Sequence, residues 1–216
     1  MEEGVIKFRL RFTEAAPVEM EPLEALNHWR TILWQQALIG QDPARYEGYG
    51  FGNVSQRIGA GNAAPGKRCF VISGTQTGHV PELDNRHYTL VKTYDAASNS
   101  VSAAGPIKPS SESLTHGMLY DLDDEIQVVL HVHSPDIWLA AVNLGLPVTN
   151  SSVPYGTPAM ATEVRRLFND TDVRERKIFS MGGHEDGIVS FGTTAEEAGE
   201  TLIRTLNVSR KQRGPI

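Results

Sequence analysis

Ile126-Gln127-Val128-Val129-Leu130-His131-Val132-His133 reads as a β-strand that ends in two alternating histidines. Side chains two apart in a strand leave from the same face, so His131 and His133 project together from a rigid apolar support. Imidazole is the commonest protein metal ligand. A single histidine here would be explained as a satisfied core residue. A pair is harder to explain that way, because each buried imidazole needs hydrogen-bond partners. Three histidines with an open position form the pattern of catalytic zinc. The third candidate is His184, in Met181-Gly182-Gly183-His184-Glu185-Asp186-Gly187, a glycine-bearing turn between two expected strands. Taken alone it would read as a surface-turn histidine.

Upstream of the strand lies Lys108-Pro109-Ser110-Ser111-Glu112. Glu112 falls at the expected start of a helix, where an acid is favoured by the helix dipole. That suffices to explain it, and a role as acid–base carboxylate beside the histidines is the competing explanation. The serine hydroxyls and amides at this helix start make an anion site available. His116, four residues on, shares the face of Glu112 and is open to a supporting or a packing role. Gly52-Asn53-Val54-Ser55 enters one expected strand and Ser73-Gly74-Thr75 leaves another. If both loops lie beside Ser110-Ser111, they form a cradle for a phosphate or carboxylate. The Walker loop and the dinucleotide fingerprint are both missing.

Working outward, Ile6, Phe8, Leu10 and Phe12 alternate with Lys7, Arg9 and Arg11 as in a half-exposed strand. Leu23 to Ala37 has helical spacing, with Gly40 as its expected stop. Strands are expected near Val54–Ile58 and Cys69–Ser73, around a turn from Gly59 to Gly66, then at Tyr88–Tyr94 and Val101–Ala103 around an Asp95–Asn99 turn. A helix is expected from Ser111 to about Tyr120. Another starts at Pro135 and runs to about Leu144. A third spans Pro158 to Phe168. Strands at Ile178–Ser180 and Ile188–Phe191 precede a last helix, opened by Thr193-Thr194-Ala195-Glu196-Glu197 and reaching about Lys211. The expected fold is a single α/β domain over residues 1–216, with a mixed, mainly antiparallel sheet, helices on its faces and an N-terminal strand extension over residues 1–20.

The 216 residues suffice for one domain with a sizeable core. A net charge of −6 gives no electrostatic support to nucleic-acid binding. Cys69 is the one cysteine, so no intrachain disulfide forms, which fits a reducing compartment. Met1-Glu2-Glu3-Gly4 lacks the features of a signal peptide, and no run approaches the ~18 apolar residues of a membrane span. A cytoplasmic protein without membrane partners is the expectation.

The motifs Gly52-Asn53-Val54-Ser55, Ser73-Gly74, Lys108-Pro109-Ser110-Ser111-Glu112, His131-Val132-His133-Ser134-Pro135 and Gly183-His184 occur in that order. In this order they resemble the class II aldolase/adducin family, over about residues 46 to 205. The resemblance implies a three-layer α/β/α fold with a central, mostly antiparallel sheet. It implies a divalent metal, usually zinc, on His131, His133 and His184, with Glu112 as acid–base residue. It assigns Gly52, Asn53, Ser73, Gly74, Ser110 and Ser111 to substrate-binding loops. Tyr155, in Pro154-Tyr155-Gly156-Thr157, falls near a proline-tyrosine stretch of the aldolases and is carried over as a second catalytic candidate. A homo-oligomer, commonly a tetramer, is implied as well.

Two departures stand out. Glu185 and Asp186 intervene where the family usually has glycine directly after the third histidine. Val71-Ile72 replaces a threonine-proline before the serine-glycine, which leaves phosphorylated and non-phosphorylated substrates both open. The expected activity is aldolase-type carbon–carbon cleavage of a hydroxy-carbonyl substrate, first a sugar phosphate, through a metal-stabilised enediolate. A dehydratase or 4-epimerase on the same site is the near alternative, and glutamate after the two serines leans toward aldolase or dehydratase. A zinc hydrolase and a non-catalytic adducin-like binding protein are the more distant ones.

Overall fold

A computed structural model describes residues 5–19, 21–59 and 63–213. Met1-Glu2-Glu3-Gly4 and the tip of the Gly59–Gly66 turn lie outside the described residues. In chain order the elements are β1 (Arg9–Glu14), α1 (Glu24–Gln35), β2 (Gly40–Gln41), β3 (Gly50–Phe51), β4 (Asn53–Arg57), β5 (Phe70–Ser73), β6 (Tyr88–Asp95) and β7 (Ser100–Gly105). They continue with α2 (Ser113–Leu122), β8 (Val128–His133), α3 (Pro135–Ala140), α4 (Pro158–Asp170), α5 (Val173–Arg176), β9 (Ile178–Ser180), β10 (Gly187–Gly192) and α6 (Ala195–Arg213).

Eight of these strands form one sheet in the order β1-β7-β6-β5-β4-β8-β10-β9. Only the β1–β7 pair is parallel, so the sheet is mixed and mostly antiparallel, as expected. Alternation along the strands sorts the core into two layers. On one face Phe70, Ile72, Val129 and Val189 pack with Leu114 and Leu119 of α2 and Val164 and Leu167 of α4. On the other, Val54, Val71, Leu130 and Val132 pack with Leu26 and Leu33 of α1, Ile137 of α3 and Leu202 of α6. Each such side chain, fully buried, contributes about 1.5–3 kcal/mol. The result is the three-layer α/β/α arrangement. In β8 the alternation puts Val128, Leu130 and Val132 on the α1–α3–α6 side. His131 and His133 share parity with Val129 and so face α2.

Several boundaries differ from the sequence reading. The first strand begins at Arg9 rather than Ile6, and its partner is the parallel β7. The helix at Pro135 ends at Ala140 rather than near Leu144, and the chain turns until Gly145 at φ +66°. Ser111 lies before α2, not in it; Glu112 is the N-cap. Gly40 does not stop α1. Ala37 does, at φ +55°. Its amide donates to Trp34 O at 2.9 Å and that of Leu38 to Leu33 O at 3.0 Å, the paired bonds of a Schellman end with Leu38 and Leu33 as its apolar contact. A left-handed alanine is strained. Ala37→Gly is therefore expected to stabilise the protein by about 0.5–1 kcal/mol. A rise in the urea midpoint at unchanged slope would show it, and a fall would contradict it.

At the last helix, the amide of Glu197 donates to Thr194 Oγ1 at 3.1 Å and that of Thr193 to Glu197 Oε2 at 2.8 Å. Thr194 is thus the cap.

Candidate active site

Antiparallel register places His131 opposite Asn53 of β4 on one side and Val189 of β10 on the other, and His133 opposite Gly187. The short β9–β10 turn then brings in His184. Gly183 permits this, since a Cβ there would lie 2.1 Å from Val153 O. The candidate ligand atoms of His131, His133 and His184 all lie within 4.8 Å of one another, and the three residues are buried. Nδ1 of His131 lies 3.2 Å from Ile188 O. A carbonyl only accepts, so Nδ1 carries the proton and Nε2 keeps a lone pair. That Nε2 has no hydrogen-bond partner among the described residues. Burial first, then neighbouring His184, holds the pKa of His131 and of His133 well below the ordinary histidine value. Both are neutral at pH 7, the form that binds a metal. Three buried imidazoles whose candidate ligand atoms lie this close fit a divalent transition metal such as zinc.

Glu112 is 2% exposed and makes no capping bond to the backbone, so helix capping does not account for it. Its Oε2 accepts from Thr115 Oγ1 at 2.7 Å, and its Oε1 lies 3.7 Å from His184 Nδ1. Tyr155 is buried, its ring stacked on His184 with centroids 4.3 Å apart. Lys7 Nζ sits 3.4 Å from the Tyr155 ring centroid. His116 does not meet Glu112 through its ring. Its Nδ1 lies 2.6 Å from Ser55 Oγ, which is 2.6 Å from the Tyr120 hydroxyl, and burial lowers the His116 pKa to about 3.

Beside the histidines is a small polar recess. Gly52, Asn53, Gly74, Ser110 and Ser111 are among the residues that line it. What joins these loops is backbone pairing: Gly74 bridges Pro109, and Thr75 N–H donates to Lys108 O at 3.0 Å. Gly74 allows the approach, because a Cβ there would meet the Ile107 side chain at 2.6 Å. Asn53 Oδ1 is buried with no partner among the described residues. Ser73 stands apart from this lining: its Oγ accepts from Val54 N–H at 3.1 Å and ties β5 to β4.

Residues 44–211 match the family described as Class II Aldolase and Adducin N-terminal domain. The chain belongs to this family. Within this class II aldolase/adducin chain, β1, α1 and β2 precede the matched stretch. It is 37% identical over 82 residues to methylthioribulose-1-phosphate dehydratase of Azotobacter vinelandii, covering 38% of this chain and 34% of that one. The match thus spans about a third of that curated relative's length. Its fold resembles that of L-fuculose-1-phosphate aldolase from Thermus thermophilus, with a TM-score of 0.58, 17% identity, and 89% and 96% of the two chains covered. It also resembles a sugar-phosphate aldolase from Thermotoga maritima, with a TM-score of 0.61, 15% identity, and coverage of 88% and 95%. Among the described residues, no helix is long and apolar enough to cross a membrane.

The family motifs do not contain everything around the site. Thr115, the partner of Glu112, is three residues on, a helical spacing that was legible. Gly50, Thr75, Gln76, Thr77 and Gly78 also line the recess, and Gln76 Oε1 accepts from Gly50 N–H at 2.8 Å. Arg45, Tyr46 and Asp186 meet beside His133. Nothing in their spacing announced that.

Proposed function

We propose that the protein is a metal-dependent lyase that cleaves a carbon–carbon bond in a small hydroxy-carbonyl compound, with a sugar phosphate as first candidate. The observation that carries this reading is the convergence of three buried histidines with a buried carboxylate, Glu112, 3.7 Å from one of them. Bound on His131, His133 and His184, a divalent metal, zinc in the first instance, would act as a Lewis acid toward the substrate's oxygens. Glu112 moves the proton. Thr115 holds its Oε2 and so orients the carboxylate. Glu112 takes the proton from the substrate hydroxyl, the O–H electrons form the new carbonyl, and the carbon–carbon bond breaks. The released pair stays on the carbon next to the other carbonyl until Glu112 returns the proton. Tyr155, stacked on His184, is the second catalytic candidate. Gly52, Asn53, Gly74, Ser110 and Ser111 would bind the anionic end of the substrate, with Ser73 fixing the loop behind them. The site calls for no macromolecular partner. We propose a single domain, a homotetramer and a cytoplasmic location, on the strength of the family resemblance and the ordinary composition.

A second reading is dehydration. The partial identity to a dehydratase favours it. Glu112 would then remove a proton from the carbon beside the carbonyl, and a hydroxyl would leave from the next carbon.

The test loads purified protein with zinc, cobalt or manganese and screens ketose phosphates. Released aldehyde is expected. A dehydrated product without aldehyde would replace the first reading with the second. Turnover of esters or amides alone would overturn both.

A further inference from the structure

Asp186 stands two residues after His184 in the β9–β10 turn, and it is fastened twice. Its backbone carbonyl accepts from the amide of Ser134, directly after His133, at 2.8 Å. Its Oδ2 accepts from the Tyr46 hydroxyl at 2.5 Å. Arg45 donates to the same hydroxyl at 2.6 Å and lies 3.7 Å from the Asp186 carboxylate. The Tyr46 ring meets the His133 ring edge-on at 4.6 Å and that of Phe51 at 5.1 Å. The backbone is bent to achieve this: Tyr46, Glu47 and Asp186 stand at φ +49°, +57° and +61°. Side-chain-bearing residues hold such angles where their surroundings impose them, and these cluster at functional sites.

We propose that Arg45, Tyr46 and Asp186 form a clamp that locks the His184 turn to the end of β8 and sets how tightly the histidine cluster retains its metal. The inference rests on the metal reading above. The clamp touches one ligand ring directly and fixes the turn carrying another, so it couples two ligands contributed by separate elements. These are positioning residues, and groups that orient metal ligands typically alter affinity by about 10–100-fold when removed.

The test is the rate at which zinc passes from the loaded protein to a colorimetric chelator, with the visible spectrum of the cobalt-loaded protein as a second readout. Tyr46→Phe deletes only the hydroxyl, and Asp186→Ala deletes the carboxylate that accepts from it while keeping the backbone bond to Ser134. Both are expected to release zinc at least about tenfold faster than wild type and to alter the cobalt band. Tyr94→Phe is the control. It removes a similar hydroxyl, bonded at 2.7 Å to Asp121 at the opposite end of the sheet, and is expected to release zinc at the wild-type rate. Wild-type release from both clamp variants would overturn the clamp and leave the metal site standing, as would equal acceleration by the control. A wild-type protein that takes up neither zinc nor cobalt would overturn the metal reading and the clamp with it.

Discussion

Glu112→Gln is expected to lower turnover by about 10²–10⁴-fold while the protein retains its metal. Glutamine keeps the size of the side chain and an oxygen able to accept from Thr115 Oγ1, so the start of α2 should hold its place. What is lost is the ability to take and return a proton. Glu112 is buried, and its Oε1 lies 3.7 Å from His184 Nδ1, at the edge of the histidine cluster. Turnover on the best substrate, paired with elemental analysis, decides the matter. A fully active glutamine variant would remove Glu112 from the mechanism. An inactive variant that had also lost its metal would make Glu112 a ligand rather than an acid–base group.

The double change His131→Ala/His133→Ala should abolish metal binding, taking the content from about one equivalent to none. Two of the three candidate ligands disappear, and His184 alone on a turn cannot hold the ion. The variant should still fold. Both side chains are buried at the end of β8, whose backbone pairing with β4 and β10 alanine leaves in place. The measurement is elemental analysis after identical zinc loading, with circular dichroism to verify the fold. Metal retained at one equivalent would place the ion elsewhere in the protein.

Much of this arrangement was legible in the sequence, and the exceptions have physical causes. The β8 strand was readable because alternation assigns faces by itself, so the shared direction of His131 and His133 needed no tertiary information. Glu112 was expected at the start of a helix and is the N-cap of α2, yet its carboxylate bonds Thr115 instead of the helix amides, a choice its position alone did not reveal. Alternation in β1 revealed a strand and gave no hint of its parallel partner, since the same pattern serves either direction. The end of α1 was misplaced because the chain closes on itself at a left-handed Ala37 with Leu33 and Leu38 both drawn into the core, an arrangement that alanine does not signal and that comes before Gly40 is reached. Ser73 belongs to the motif, yet its hydroxyl is used between two strands. The clamp was illegible for the plainest reason: Tyr46 and Asp186 lie 140 residues apart, and no local period encodes that meeting.

The pairing of β8 between β4 and β10 has a consequence for how the protein comes to maturity. A slip of one residue would turn Val132 and Leu130 toward α2 and hide both histidines among the leucines of the opposite layer. His184 joins them only when the later β9–β10 hairpin has docked on β8. The histidine cluster would therefore act as a checksum on the assembled sheet. A chain with its strands out of register would have no cluster to offer an ion, so metal uptake would report the assembled β8–β10 register.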